Sequence, residues 1–269
     1  MRSGVGGVGG VGGVAALLLL LSPAGAAAQG VPPLVTDRPD QTESPVVVPR
    51  GMVQFEAGGL HEVANAGAGR VTSVASLLVR AGLFGRVELR LGFLGWQRAT
   101  STGADPRAGL GDLSVGTKVG LRDGDGLDPA VAVLASAVVP VGHRDFRAAG
   151  VDPELRVALA HELGGAFSLG YNVGGAWVTT AGGGTESSHV EGLYTLTVGR
   201  SFGGRLGAFV EVFGNVAPSD AHPSSHAIDG GLTLGLRPNV QLDAAVGVGL
   251  DAASPDWFLG FGIAVRVPR

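Results

Sequence analysis

The stretch VQLDAAVGVGL, residues 240–250, alternates apolar residues with polar or small ones without a break. Every even position is apolar, whereas the odd positions carry Gln241, Asp243, alanine or glycine. A period of two predicts a β-strand with one apolar face. Strands of globular proteins average about 5–6 residues, whereas a tilted membrane strand needs about 9–11. The length of this stretch therefore favours a strand that crosses a membrane.

The same alternation recurs from residue 51 to the end of the chain, although it is weak near 70–81, 189–201 and 205–215. Each run has about the length of a membrane-spanning strand. The twelve predicted strands are 51–61, 70–81, 86–96, 109–121, 129–140, 152–162, 166–178, 189–201, 205–215, 226–236, 239–250 and 256–267.

The connections between the predicted strands alternate in length. Even-numbered strands are followed by short links such as GLFG and RPN, and odd-numbered ones mostly by long polar links such as QRATSTGADPRA and VGHRDFRAAG. Outer-membrane barrels have short periplasmic turns and long outer loops. The sequence therefore predicts an all-β fold, an antiparallel transmembrane outer-membrane β-barrel of about 12 strands that occupies residues 51–269.

The composition agrees with a membrane barrel. Only 16% of the residues are charged, against about 25% in soluble domains, and mean hydropathy is +0.32. No apolar run approaches the ~20 residues of a membrane helix. The net charge of −4 argues against nucleic acid as a partner, and the absence of cysteine excludes disulfides. A secreted soluble β-sandwich is the alternative fold for this composition.

The N-terminus has the order of a secretory signal peptide. Arg2 precedes the apolar run 14–21, and Ala26 and Ala28 form an A-x-A cleavage site. We therefore expect residues 1–28 to be removed after Ala28 and the mature chain to reach the outer membrane of a Gram-negative bacterium. Residues 29–50, which precede the first strand, are expected to form an irregular periplasmic segment.

The second stretch of interest is TDRPDQTESP, residues 36–45. Its prolines disfavour both a helix and a sheet ladder, and its charges cannot face lipid. We expect it either to enter the periplasmic mouth as a plug or to pack beneath the barrel. In the first case its charges pair with lumen residues such as Arg86, Arg90 or Arg266. The plug candidates are Asp37, Arg38, Asp40 and Glu43.

If the apolar face of each strand meets lipid, the opposite face lines the lumen. Two interpretations remain open for the charges on that face: they pair across the lumen and stiffen the wall, or they form a path or constriction for solutes. Because both signs are present, no ion selectivity is predicted. The lumen candidates are Glu56, Arg86, Glu88, Arg90, Asp112, Lys118, Asn172, Glu211, Asp243 and Arg266.

The three tryptophans fall at the outer ends of predicted strands, where barrels carry aromatic girdles. Trp177 and Trp257 share the parity of their lipid-facing neighbours. Trp96 has the opposite parity and is expected at the pore mouth. An outer aromatic girdle of Trp96, Trp177 and Trp257 is therefore predicted.

Catalysis is a weaker hypothesis. Some outer-membrane barrels are interfacial hydrolases, and Ser187, Ser188, Ser224 and Ser225 lie near His143, His189, His222 and His226 in predicted outer loops or strand ends. No motif supplies a third, orienting group, and the histidines have no metal-ligand spacing. We therefore predict that the protein is not an enzyme and has no cofactor or metal.

The run TDRPDQTESPVVVPRGMVQFEAG, residues 36–58, resembles the opening of a bacterial outer-membrane family described as transporters or as components of the meta-cleavage pathway of phenol degradation. Similar stretches, such as AGLGDLSVGTKVGL and LGYNVGG, extend over nearly the whole mature chain. The turn at 84–86 and the terminal RVPR depart from the usual pattern. The resemblance implies a barrel that transports small solutes, and it suggests hydrophobic or aromatic compounds among them.

Three functional hypotheses follow from the sequence. The first is a passive outer-membrane channel for small solutes, whose partners are outer-membrane lipid, the solute and the barrel-assembly machinery. The second is a non-conducting structural barrel whose loops contact other molecules. The third is the interfacial hydrolase.

Overall fold

The computed structural model describes residues 32–64, 66–182, 185–218 and 223–268. The predicted signal peptide, residues 1–28, lies outside the described residues. In the part of the chain that is described, no helix is long and apolar enough to cross a membrane.

Regular structure consists of β-segments in one antiparallel sheet. The segments are β1 (Val53–Ala64), β2 (Gly69–Phe84), β3 (Val87–Phe93), β4 (Trp96–Ser101), β5 (Ala104–Leu110), β6 (Leu113–Arg122), β7 (Ala130–Val139), β8 (Asp152–Gly164), β9 (Phe167–Gly182), β10 (Thr185–Phe202), β11 (Leu206–Val216), β12 (Ser225–Arg237), β13 (Val240–Gly249) and β14 (Trp257–Val267).

The sheet closes on itself because β1 pairs with both β2 and β14. β3 and β4 pair with consecutive halves of β2, so together they form one interrupted wall strand, and β5 and β6 form the next. The result is the predicted closed antiparallel barrel of twelve strands. Closure between β1 and β14 joins the first strand of the wall to the last, and a closed sheet is the condition for strands to span lipid.

A paired bulge interrupts β2 and the β3–β4 strand. Ala75 and Gly95 both adopt positive φ, 56° and 80°. A Cβ at residue 95 would lie 2.3 Å from the carbonyl oxygen of Val74, so only glycine fits there. Because the bulge shifts the parity by one residue, Trp96 pairs with Val74 on the outward face. The expectation that Trp96 lies at the pore mouth was therefore wrong.

The two faces of the wall differ in polarity. The outward face carries exposed apolar side chains, for instance Leu91, Val173, Val246 and Phe261. The largest fully buried side chains are polar and lie on the inward face: Arg80, Lys118, Gln54, Glu56, Glu88, Glu211, Asn172 and Asp112. This inversion of the usual soluble pattern follows from lipid outside and a polar lumen inside.

The two ends of the barrel are also distinct. At the turn end, short connections link β2 to β3, β8 to β9, β10 to β11 and β12 to β13, and the chain enters β1. At the loop end lie the β4–β5 hairpin, the loop 140–151 and the long β9–β10 hairpin. Trp96, Trp177 and Trp257 are each 40–48% exposed and belong to strand regions near the loop end.

Candidate functional site

Residues 32–52, here named the plug segment, run through the lumen from the turn end before the chain enters β1. They form no strand or helix, and only Arg50 makes an isolated bridge, to Gly82. Prolines at positions 32, 33, 39, 45 and 49 remove backbone donors and prevent the segment from joining the ladder. Side chains of the wall accept four of its backbone N–H groups, those of Asp37, Gln41, Glu43 and Val48. The candidate site is therefore a lumen occupied by the chain's own N-terminal segment.

Asp37 is the centre of the plug segment. Its carboxylate accepts hydrogen bonds from Lys118 Nζ at 2.7 Å and Arg90 Nη1 at 2.5 Å, and lies 3.1 Å from Arg80 Nη1. The side chain of Asp37 is fully buried. Burial alone would raise the pKa of Asp37, but the charges of Arg80, Lys118 and Arg90 outweigh it and hold that pKa well below 3.8. Asp37 is therefore an ionised anchor.

The cations around Asp37 are shared with carboxylates of the wall. Arg80 Nε donates to Glu88 Oε1 at 2.7 Å, and Arg80 Nη1 donates to Glu56 Oε1 at 2.9 Å. Glu56 in turn accepts the backbone N–H of Asp37, and Glu88 accepts that of Val48. Buried charges are stable only when they are paired. The carboxylate of the plug segment and the carboxylates of the wall therefore share the pairing of the same buried cations.

Glu43 extends this cluster. Both of its carboxylate oxygens accept bonds from Arg90 Nη2 at 2.8 Å, and Lys118 Nζ lies 3.8 Å away. Burial, followed by the negative charge of Asp37, raises the pKa of Glu43 to about 7. The cluster thus places four carboxylates, Asp37, Glu43, Glu56 and Glu88, against three cations, Arg80, Arg90 and Lys118. Glu43 is the acid of the plug segment that titrates near neutral pH.

Arg38 points to the opposite wall. Its Nη2 donates to Asp243 Oδ1 at 3.3 Å and to the Phe261 carbonyl at 3.0 Å. The guanidinium lies over Gly58 and Gly262, which face each other across the β1–β14 pair. A Cβ at either glycine would approach the guanidinium within 2.4–2.6 Å. The two glycines therefore form a seat for Arg38.

The middle of the plug segment is held by hydrogen bonds to neutral and acidic groups. The N–H of Gln41 donates to Glu211 Oε2 at 2.7 Å, and the N–H of Glu43 donates to Asn172 Oδ1 at 2.7 Å. The Thr42 hydroxyl donates to Glu211 Oε1, and its oxygen lies 2.7 Å from Thr195 Oγ1, within hydrogen-bond distance. These contacts span β9, β10 and β11, so the plug segment is attached to walls on both sides of the lumen.

Asp40 faces an acidic part of the wall. Glu211 and Asp229 are direct partners in the β11–β12 ladder. Burial, followed by the charge of Glu211, raises the pKa of Asp40 well above 3.8. Like charges opposed at short range disfavour ionisation, so Asp40 is seated most stably in its protonated form. In contrast to Asp37, Asp40 destabilises the seated plug segment when it is ionised.

Beyond the plug segment, towards the loop end, the inward face becomes partly apolar. The rings of Phe213 and Phe258 meet edge to face with centroids 6.1 Å apart. Near them His189 Nε2 lies 2.8 Å from Glu191 Oε1, and Glu191 Oε2 accepts a bond from Asn215 Nδ2 at 2.5 Å. This region combines an aromatic surface with hydrogen-bonding groups.

Asp112 has a role at the loop end. Its carboxylate accepts the N–H of Gly142 and the N–H of Ala148, both at 2.7 Å, and it is 1% exposed. It therefore fixes the loop 140–151 against the wall. A cavity of about 740 Å³ lies beside this loop, lined by Pro140, Arg144, Arg147, Ala148, Ala149, Thr179 and Thr180.

The other sequence-predicted residues fall in two groups. Arg266 is buried and donates to the carbonyl oxygens of Pro33, at 3.1 Å, and Pro32 in the plug segment. Arg86 differs from the expectation, because it lies in the β2–β3 turn, where its half-exposed side chain pairs with Asp123 at 2.5 Å. Buried on the inward face are Glu56, Glu88, Arg90, Asp112, Lys118, Asn172, Glu211, Asp243 and Arg266.

Sequence reasoning missed Arg80, the residue that binds Asp37, Glu56 and Glu88 together. Arg80 lies in a segment whose alternation is weak, because the bulge at Ala75 shifts its parity. Between the bulge and residue 81 the register is regular, and it places Arg80 on the inward face beside Gln54, its ladder partner. A period-two prediction confined to these residues therefore identifies Arg80.

The loop serines contact groups other than histidine in the described part of the chain. Ser187 Oγ lies 3.0 Å from Thr180 Oγ1, and Ser225 Oγ lies 2.9 Å from Ser254 Oγ. Ser188 is near Thr179, and Ser224 accepts the N–H of Ala217. His222 lies outside the described residues.

The family comparison covers most of the chain. The model of the family described as "Putative MetA-pathway of phenol degradation" matches residues 36–267. The chain belongs to this family. The match begins at the plug segment and ends with β14, so the plug segment from residue 36 and the barrel belong to the same family unit. No curated protein matches the chain.

Solved structures with the same fold are membrane barrels of low sequence identity. The NanC porin matches with a TM-score of 0.56 at 9% identity, covering 79% of this chain and 98% of that one. The β-domain of the Bordetella autotransporter BrkA matches with a TM-score of 0.52 at 11% identity and the same coverage. The NalP translocator domain of Neisseria meningitidis reaches 0.50 at 10% identity, covering 80% and 87%. The fold of this member of the phenol-degradation family is that of an outer-membrane β-barrel.

Proposed function

We propose that the protein is an outer-membrane channel for small solutes, and that its plug segment closes the lumen at rest and moves to open it. The observation that carries this proposal is the way the lumen is filled. The filling is a separate segment joined to the barrel only where residue 52 leads into β1, and its contacts with the wall are noncovalent. Such a segment can leave without unfolding the ladder.

The composition of the lumen beyond the plug segment supports a finer proposal about the solute. The partly exposed ring of Phe213, packed against the buried ring of Phe258, adds an apolar group to the inward face, and Glu191 and Asn215 lie nearby as polar groups. Binding sites for small molecules combine a mostly apolar wall with a few polar groups. Together with the description of the family, this favours small hydrophobic or aromatic solutes.

The test uses the absence of cysteine from the chain. The Thr42 and Thr195 hydroxyl oxygens are 2.7 Å apart, so cysteines at both positions are close enough for a disulfide. We expect the oxidised Thr42→Cys/Thr195→Cys variant to be closed in planar bilayers and in liposome-swelling assays. Reduction is expected to restore the conductance of the wild type.

The single variants Thr42→Cys and Thr195→Cys are the matched controls, since they alter the same contacts without a cross-link. They are expected to conduct equally in oxidising and reducing buffer. A wild-type barrel that is folded but never conducts would contradict the proposal and favour a non-conducting structural barrel. Faster swelling with uncharged aromatic solutes than with sugars of similar size would support the finer proposal.

We assign no catalytic role to the loop serines. In the residues described, the Ser187 and Ser225 hydroxyls lie next to other hydroxyls, and His226 Nδ1 lies 2.9 Å from the Tyr194 hydroxyl. Hydrolysis of an ester substrate that disappears when the four serines are replaced by alanine would overturn this assignment.

A further inference from the structure

The outward face of β2 and β4 carries an unusual pair of charges. Among the described side chains of β2 and β4 near the loop end, Arg70 and Arg98 are the charged ones that share the parity of the lipid-facing Val74 and Trp96. Both arginines are exposed. A charged side chain on this face is unfavourable within the hydrocarbon and becomes tolerable near the membrane interface. The placement of these two arginines therefore requires an explanation.

The two arginines are close to one another. Arg98 is opposite Thr72 in the β2–β4 ladder, and Arg70 is opposite Thr100. Diagonal neighbours on one face of an antiparallel pair lie about 7–8 Å apart. Long side chains at this spacing can reach a common ligand, and the two threonines place hydroxyl groups beside them.

Neither guanidinium is neutralised by the protein in the part of the chain that is described. No ion pair involves Arg70 or Arg98 there. Asp256, an acid of the neighbouring β13–β14 loop, accepts the N–H of Gly67 at 2.9 Å. The pair therefore presents two positive charges outward without an internal partner.

The aromatic neighbours indicate the depth of this pair. Trp96 lies two residues before Arg98 on the same face, about 6.6–6.8 Å along the strand. Tryptophan is enriched at the membrane–water interface. A second tryptophan, Trp257, packs its ring 5.5 Å from that of His61 in the same part of the wall. The guanidinium groups consequently lie at or beyond the interface, at the level of lipid headgroups.

A third outward arginine, Arg200, differs from these two because it contacts aromatic rings. Arg200, near the turn end, lies over the rings of Phe167 and Phe202 at 4.8 and 5.0 Å. Its charge is partly satisfied by these aromatic faces. Arg70 and Arg98 have no such ring contact in the described structure, so their charges remain available to a group outside the protein.

We propose that Arg70 and Arg98, assisted by the hydroxyls of Thr72 and Thr100, bind a phosphate group of a phosphorylated glycolipid in the outer leaflet. Guanidinium groups bind phosphate oxygens in a bidentate manner, and the hydroxyls supply further donors. The site is on the outer wall of the barrel. It is independent of the plug segment and of the proposed channel activity.

The experiment measures lipid binding by the folded, full-length mature barrel in neutral detergent, using native mass spectrometry. The probes are lipid A carrying its phosphates, lipid A from which the phosphates have been removed, and phosphatidylcholine. We expect phosphorylated lipid A to bind in preference to both others. Arg70→Gln/Arg98→Gln is expected to weaken this binding about tenfold or more, because charge-assisted bonds to phosphate are lost.

The matched control is Arg107→Gln/Arg200→Gln, which removes the same charge from the opposite face of the β4–β5 hairpin and from the turn end. It is expected to bind phosphorylated lipid A like the wild type. Equal losses in both double variants, or equal binding of phosphate-free lipid A, would overturn the proposal. Complete displacement of lipid A by inorganic phosphate at equal concentration would instead identify a free-phosphate site and would equally refute it. Heat-dependent migration in gels confirms that each variant is folded.

Discussion

Lys118 Nζ lies 2.7 Å from Asp37 Oδ2, although 81 residues separate the two in sequence and neither side chain is exposed. One residue belongs to β6 and the other to the plug segment. Because Arg80 and Arg90 converge on the same carboxylate, a single acid of the plug segment bridges cations from three different strands. The closed state of the lumen depends strongly on this one side chain.

Replacing Asp37 with asparagine is therefore expected to open the channel. Removing one partner of a buried ion pair typically costs about 3–5 kcal/mol, because the remaining charges stay buried without compensation. In the Asp37→Asn variant Arg80 still pairs with Glu56 and Glu88, and Arg90 still pairs with Glu43 and Glu88. Lys118 is left with Glu43 at 3.8 Å, so the penalty falls mainly on this buried ammonium as long as the plug segment remains seated. Single-channel conductance in planar bilayers should show a larger open fraction than in the wild type.

Asp123→Asn is the control for that substitution. Asp123 also pairs with an arginine, Arg86, at 2.5 Å, but the two side chains are 86% and 49% exposed. Exposed pairs contribute little to stability. The open fraction should stay at the wild-type value, and an equal response of both variants would show that the position of Asp37 is not what matters.

The plug segment should loosen as the pH rises through about 7. Asp40 and Glu43 have a raised pKa in the seated segment, Glu43 of about 7, so the seated state binds protons more tightly than the released state. Seating is then fully favoured below the ordinary carboxyl pKa and is weakened as these groups ionise. Asp37, whose pKa is lowered, has the opposite effect and weakens seating only in strong acid. Conductance recorded from about pH 5 to about pH 8 should increase.

Glu43→Gln separates the contribution of Glu43 from that of Asp40. Glutamine cannot ionise, so the part of the pH response near neutrality that comes from Glu43, which faces Arg90, Lys118 and Asp37, should vanish. Asp40, which faces Glu211 and Asp229, is unchanged in this variant. A pH profile identical to that of the wild type would rule out Glu43 as a titrating group of the plug segment.

A methyl group at position 262, beneath the guanidinium of Arg38, should displace that guanidinium. A Cβ at position 262 would lie 2.5 Å from Arg38 Nε and 2.7 Å from the backbone oxygen of Ala57. The Gly262→Ala variant is therefore expected to lose the bond between Arg38 and Asp243 and to strain the local pairing of β1 with β14. Gly260→Ala is the matched control in the same strand, since the nearest atom there is 3.6 Å away. Proteolysis of the plug segment in folded barrels should be faster in the first variant and unchanged in the second.

The loop 140–151 should depend on Asp112. Asparagine at this position retains one acceptor oxygen, so one of the two N–H groups, of Gly142 or of Ala148, loses its partner. We expect trypsin to cleave after Arg144 and Arg147 several-fold faster in Asp112→Asn than in the wild type. Asp123→Asn changes an exposed acid that pairs with Arg86 at the turn end, away from this loop, and should leave the cleavage rate unaltered.

The barrel could be predicted from the sequence because lipid imposes a strict period of two on every wall strand. The predicted strand 239–250 matches β13, and the predicted strand 256–267 matches β14. The paired bulge at Ala75 and Gly95 was not predictable by the same rule. It reverses the parity of Trp96, and the signal that could have revealed it is a glycine that interrupts an otherwise apolar run.

The pairing of individual charges was less accessible to sequence reasoning. The polar run 36–45 showed that charges must avoid lipid, but it did not show which wall residues they meet. The partners of Asp37 come from β2, β3 and β6, whose relative positions depend on the register of the closed barrel. Arg80 can bind Asp37 only when this register brings three strands around the one carboxylate.

Arg38 lies over Gly58 and Gly262, which are partners in the pairing of the first strand with the last. These two strands meet only when the whole barrel has been assembled, so the seat for Arg38 does not exist in an unfinished sheet. Entry of the plug segment is thus coupled to the final step of folding: an incomplete barrel lacks the place where this arginine rests. The order of synthesis and the order of assembly are reversed in this protein, since the plug segment precedes the barrel in the chain but can settle only after the final strand has found its partner.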